Sequence, residues 1–235
     1  LLRIRQPRRL HRQARQLLQV RRDRLAEKLL AIRLPAWMLR DGALRSSGLL
    51  NAAVGGPPVR PHQPAGVWEE IFMGRFTYEP SEGAAQHRRS LYAFWRRSIA
   101  PTFLFDTAQR RVCEVRTPRT NTPLHALATL NDTTYVEAAR ALAERVLKIG
   151  DRADAAKLEH AFRLVTARTP SAGERQILSA SLARLRTQYA ERETAVKLLA
   201  VGESKRDETI NATEHAAWSG LALLLLNLDE TVTKE

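Results

Sequence analysis

A mainly α fold is predicted: a C-terminal helical bundle, preceded by an irregular region rich in Pro, Gly and aromatic residues with room for a short β-strand or hairpin. Three observations predict it. Helix-start signals recur from Thr122 onward, at Thr122-Pro123, at Thr134 with Glu137 and at Ser171 with Glu174. Between them apolar residues return at intervals of three and four. Upstream, Gly55-Gly56-Pro57-Pro58 and the two prolines Pro61 and Pro64 forbid a regular helix.

Taken in order, Leu10, Leu17, Leu18, Leu25 and Leu29 are spaced for a basic amphipathic helix from about Gln13 to Arg33. A second helix is expected from Pro35 to Ser47, stopped by Gly48 and burying Trp37, Met38 and Leu44. Asn51 to Gly66 reads as loop. Val67 to Arg97 holds an aromatic cluster that suits a core, with Ser90 to Arg96 open between a short strand and a helical turn. Pro123 then opens a helix through about Leu130, and the Thr134/Glu137 box opens another to about Ile149, ended by Gly150. The next runs from about Ala153 to Ala167, burying Leu158, Ala161, Phe162 and Val165, and stops at Thr169-Pro170. Ser171 and Glu174 start a helix through about Leu199. The last, from about Glu208 to Asn227, buries Ile210, Trp218, Leu221 and Leu225.

Composition narrows the functional classes. The 235 residues carry a formal charge of +13. Eleven basic residues against Asp23 and Glu27 place +9 of it between Leu1 and Arg33, leaving +4 for the rest. The polyanion-like signal is therefore local, a basic arm or a non-native stretch over residues 1–33, and the body is not expected to bind nucleic acid. The longest apolar run, Leu221 to Leu226, falls far short of the roughly 20 residues a membrane span needs. Cys113 is the only cysteine, which removes internal disulfides and two-cysteine haem attachment, so no cofactor is expected in this chain. No signal peptide is legible.

The order of motifs from Arg33-Leu34 and Arg40-Asp41 onward resembles a known family. Its blocks are Gly55-Gly56-Pro57-Pro58-Val59, Gln63-Pro64, Gly66-Val67-Trp68-Glu69, Arg88-Arg89-Ser90-Leu91-Tyr92, Phe94-Trp95-Arg96-Arg97 and Phe105-Asp106. They continue with Arg119-Thr120-Asn121-Thr122-Pro123-Leu124, Leu130-Asn131-Asp132, Ala161-Phe162-Arg163 and Leu226-Asn227-Leu228-Asp229-Glu230. In this order they resemble the planctomycete-type C-terminal domain of unknown function, family 1553, found at the end of large exported cytochrome-C-like proteins. The resemblance implies one domain over residues 34–235, with an irregular part at 48–121 and a helical part at 122–235. It implies upstream cytochrome-C-like or concanavalin-like modules as partners, haem confined to those modules, periplasmic or cell-surface residence and a link to polysaccharide use. Two positions depart from it: His125 stands where the motif carries Gln, and residues 1–32 do not look like the family's preceding segment.

The candidate ligand-binding residues surround the short helix that begins at Pro123: Arg116, Arg119, Thr120 and Asn121 before it, His125 within it, Asn131 and Asp132 at its end. Arginines and an amide at a helix N-terminus suit a carboxylate, sulfate or phosphate, or a carbohydrate. Equally, such residues pair with Asp106, Glu114 or Asp132 and cap turns. No GxSxG, HExxH, paired Cys/His spacing or dinucleotide fingerprint is present, so no metal site and no catalytic residue is assigned. The expected role is a non-catalytic binding or scaffold module. The alternatives are a part of a polysaccharide-acting hydrolase, and nucleic-acid binding through the basic segment.

Overall fold

The computed structural model describes residues 32–63, 66, 68, 73–75, 77–94, 96, 123–150 and 153–234. Eight helices are present among them: α1 (Ala36–Ser47), α2 (Pro123–Asn131), α3 (Thr133–Leu147), α4 (Asp154–Thr166), α5 (Ala172–Gln188), α6 (Arg192–Leu199), α7 (Ala212–Leu226) and α8 (Asp229–Val232). Two-residue strands β1 (Ile32–Arg33) and β2 (Thr233–Lys234) pair antiparallel. The mainly helical prediction holds.

The bundle is organised by α3 and α7, which form its central pair. On α7 the buried residues are His215, Ala216, Ala217, Trp218, Ser219, Leu221, Ala222, Leu225 and Leu226, so it is covered on nearly every side, as the core helix of a bundle must be. Facing it, α3 presents Ala138, Ala139, Leu142, Ala143 and Val146; small side chains on both helices let the backbones approach closely. Around this pair, α1 packs on α3, while α5 and α6 pack on α7. Gly220 permits the α5 contact, since a Cβ there would lie 2.9 Å from Leu185 Cδ2.

Local chemistry sets the helix ends. Gly48, with φ +84, closes α1 in the left-handed region that glycine enters without strain. Ser171 and Glu174 make the expected capping box on α5, with Ser171 Oγ accepting from Glu174 N at 3.3 Å and Glu174 Oε2 accepting from Ser171 N at 2.7 Å. Asn211 caps α7 by accepting from Thr213 N and Glu214 N.

Four expectations are corrected. Trp37 and Met38 are exposed, at 51% and 40%, because α1 turns Ala36, Leu39, Arg40, Ala43, Leu44 and Ser47 inward; of the three residues expected to be buried there, only Leu44 is. The cap of α3 is Asp132, whose carboxylate accepts from Thr134 N at 2.9 Å, and Glu137 makes no capping contact. The long helix expected to Leu199 breaks at Tyr189 to Glu191 into α5 and α6, which lets Ala195 and Leu199 reach Ala216 on α7. Finally, α7 starts at Ala212, with Ile210 only half-buried in the turn before it.

The irregular region is held by buried arginines. Arg40, 1% exposed, donates from α1 to the carbonyls of Arg88 at 2.8 Å and Gln86 at 2.6 Å, and to Ser90 Oγ at 3.2 Å. Its neighbour Asp41 accepts from Ser90 N and Ser90 Oγ at 2.8 and 2.7 Å. In turn Arg88 donates to the carbonyls of Pro57, Gly55 and Ala53 and lies 3.9 Å above the Tyr92 ring, whose hydroxyl accepts from Gly55 N. Ser90–Tyr92 is thereby a 3-10 turn, which resolves the alternative left open between strand and helical turn. Trp68, 1% exposed, donates to Gln63 Oε1 at 2.6 Å and stacks on Tyr78 and Phe94. These aromatics are core.

Candidate functional site

Of the residues assigned to a ligand site from sequence, Arg116, Arg119, Thr120 and Asn121 lie outside the described residues, as do Cys113 and the basic segment through residue 31. The other three have structural partners. His125 is buried, with Nδ1 2.8 Å from Arg33 Nη1; arginine can only donate, so the imidazole nitrogen accepts. Asn131 Nδ2 donates to Leu127 O at 2.8 Å. Asp132 is the α3 cap.

A polar cluster lies elsewhere, on one face of α3, buried at Glu137 and Arg140 and open to solvent at Lys148. Glu137, Arg140, Glu144 and Lys148 are spaced three, four and four apart, which aligns them along that face. All four bind the connection between α6 and α7. Glu137 Oε1 accepts from Glu203 N at 3.0 Å and Ser204 N at 2.6 Å. Arg140 donates to Leu199 O at 3.2 Å and Ser204 Oγ at 2.6 Å. Glu144 accepts from Asp207 N at 3.0 Å, and Lys148 bridges Glu144 and Asp207.

Glu137 also reaches the irregular region, with His87 Nε2 3.2 Å from its Oε1. Burial alone would raise this carboxyl, yet contacts from His87 and Ser204 outweigh it and hold it down at about 2. Behind this cluster His215, fully buried, donates from Nε2 to Arg140 O at 3.0 Å, and burial pushes its imidazole down. A small cavity of about 20 Å³ adjoins His87 and Glu137, lined also by His62, Gln86 and Thr134. It has the size for one water and not for a substrate.

Sequence reading missed this face because Glu137 was assigned to a cap. The spacing of alternating charges along one helix face was the available signal. Gly202 seals the arrangement: its φ is +96, and a Cβ there would fall 2.6 Å from Cγ and 2.7 Å from Cβ of Glu137. Gly202→Ala is expected to cost about 2–4 kcal/mol in urea unfolding, from backbone strain plus overpacking. A cost below that of an ordinary surface substitution would show that the connection does not press on α3.

Chemically, the described polar groups form a set of main-chain clasps. Carboxylates accept backbone N–H groups and guanidinium groups donate to backbone carbonyls, so these side chains join segments distant in sequence. Among the described residues no group of His, Cys, Asp and Glu is placed to hold a metal ion, and no helix is long and apolar enough to cross a membrane.

These features define a helical-bundle domain whose irregular N-terminal region is fastened to it by arginine and glutamate clasps. The chain belongs to the family described as "Protein of unknown function (DUF1553)", PSD1, which matches residues 7–182. The matched range begins inside the arginine-rich segment and ends within α5, whereas the central helix α7 lies beyond it. No curated protein matches the chain, and no solved structure does.

Proposed function

We propose that this domain is a non-catalytic binding or scaffold module of a large exported, cytochrome-associated protein, linked to polysaccharide use. The planctomycete, C-terminal context implied by the motif order supplies the partners: upstream cytochrome-C-like or concanavalin-like modules, with any haem carried there. The observation that supports a scaffold is the use made of four buried charged residues, of which Arg40 and Arg88 stand in the motif blocks and Glu137 and Arg140 on α3. Arg40, Arg88, Glu137 and Arg140 spend their hydrogen bonds on main-chain atoms of distant segments, which builds a rigid frame.

The test is association. A separately expressed cytochrome-C-like or concanavalin-like module of the same parent, mixed with the purified chain and followed by sedimentation velocity, should yield a one-to-one complex. Absence of a complex, together with polysaccharide cleavage by the chain alone, would replace this reading with a hydrolase. Nucleic-acid retention that falls with salt and disappears on deletion of residues 1–31 would replace it with the third alternative.

A further inference from the structure

Arg206 is a guanidinium with no counterpart among the described residues. It finds no hydrogen-bond or ion-pair partner among the described residues, and its Nη1 is buried. It lies near enough to Arg140 and His215 to disfavour the charged form of both, while the carboxylates beside those two, Glu137 and Glu144, are already engaged with the connection between α6 and α7. A half-buried guanidinium set against a second arginine and a buried imidazole calls for an anion from somewhere.

The space for one is present. Arg206 lines a depression of about 310 Å³ between the start of α6 and the start of α7, which Arg192 lines as well. Neither arginine forms a salt bridge with Glu208, which lines the same depression and is exposed. The N–H groups of Thr213 and Glu214 at the head of α7 are already taken by Asn211, so the attraction comes from the two guanidinium groups and not from the helix end. Thr209 and Thr213 donate their hydroxyls to Asp207 and Asn211, leaving both oxygens free to accept. A ligand that suits these walls carries an oxyanion for the arginines and donors of its own for the threonines.

We propose that the depression between α6 and α7 is an oxyanion-binding site, with Arg206 and Arg192 as its two cationic walls. The shared chemistry is a carboxylate, sulfate or phosphate group, free or attached to a hydroxylated molecule. The site is independent of the scaffold role and stands or falls without it.

Calorimetric titration of the full chain with sodium sulfate, inorganic phosphate and glucuronate, at ionic strength held constant with chloride, tests it. Saturable one-site binding of at least one of the three is expected, and the preferred anion separates a free inorganic ion from an acidic sugar. R206Q should weaken it roughly tenfold or more, the loss of a charge-assisted contact. R192Q should weaken it by a smaller factor, E208Q should tighten it, and K205Q, which alters an exposed lysine outside the depression, should leave it unchanged. Thermal melting supplies a readout that binding does not. An arginine kept for a ligand leaves the free protein as stable or more stable when replaced, so R206Q should melt at or above the wild-type temperature. No saturable binding by the wild type, equal loss in K205Q and R206Q, or a lowered melting temperature in R206Q would each overturn the proposal.

Discussion

Replacing Glu137 with Ala should cost about 3–5 kcal/mol of folding free energy and release the connection between α6 and α7 before the rest of the bundle yields. One carboxylate, 3% exposed, accepts the N–H groups of Glu203 and Ser204, faces His87 at 3.2 Å and lies 3.7 Å from Arg140. Its removal leaves two part-buried amides without their acceptor and takes the carboxylate from beside Arg140 and His87, and unpaired groups of this kind are what make such losses large. Amide exchange should locate the damage: protection is expected to drop at residues 203–207 while α7 from Trp218 to Leu226 keeps its own. Equal loss across both would show that the clasp is no weaker a unit than the core.

The same carboxyl sets an acid limb. Its value is about 2 in the folded chain against 4.5 ordinarily, so its contribution is complete above about 4.5 and is lost as pH falls toward 2. The contribution is on the order of 3 kcal/mol. His215 acts in the same direction, since burial holds its imidazole below 6.5 and acid forces a charge into a closed site. Glu137→Gln should flatten the stability profile between pH 4.5 and 2 and leave the part above it governed by His215. An unchanged acid limb in that variant would remove Glu137 as its source.

Arg40→Ala is the second large effect, again about 3–5 kcal/mol, from a side chain that is 1% exposed and donates to Gln86 O, Arg88 O and Ser90 Oγ. Its character should differ. The bundle does not depend on those carbonyls, but the turn at Ser90–Tyr92 does, and through Arg88 and Tyr92 so does the Gly55 to Pro57 loop. Limited proteolysis is expected to cut residues 53–63 first in this variant. Cleavage in α3 or α7 at the same rate would show that the irregular region and the bundle unfold together.

What the sequence made legible divides by range. Ser171 with Glu174, Pro123 at the head of α2 and Gly48 after α1 were readable because each signal and its partner lie within a few residues. Glu137 carries the same signature as Glu174, three residues after a hydroxyl side chain, and yet the amides it accepts from sit more than sixty positions away. Nothing local separates the two cases. The break between α5 and α6 has no Gly or Pro at Tyr189 to Glu191 to announce it; it follows from how α6 packs on α7. In α1 hydrophobicity pointed to Trp37 and Met38, whereas the buried stripe takes in Arg40, since a charged side chain with enough carbonyl partners belongs inside. Of the ligand residues assigned from sequence, His125, Asn131 and Asp132 have partners that fasten structure, and the depression at Arg206 and Arg192 carried no motif to mark it.

The pairing of β1 with β2 has a mechanical meaning. Ile32 lies opposite Lys234 and Arg33 opposite Thr233, so the backbone at residue 32 and the backbone at residue 234 lie side by side. Tension applied between anything attached ahead of Ile32 and anything attached after Lys234 would pull the two strands apart like a zipper, one hydrogen bond at a time. Bonds loaded in series part at low force. The Leu34 N to Val232 O contact is next in line, and only after it would strain reach α1 and α8. Until those few bonds have parted, the helices hang outside the line of pull and the clasps on α3 carry none of the load.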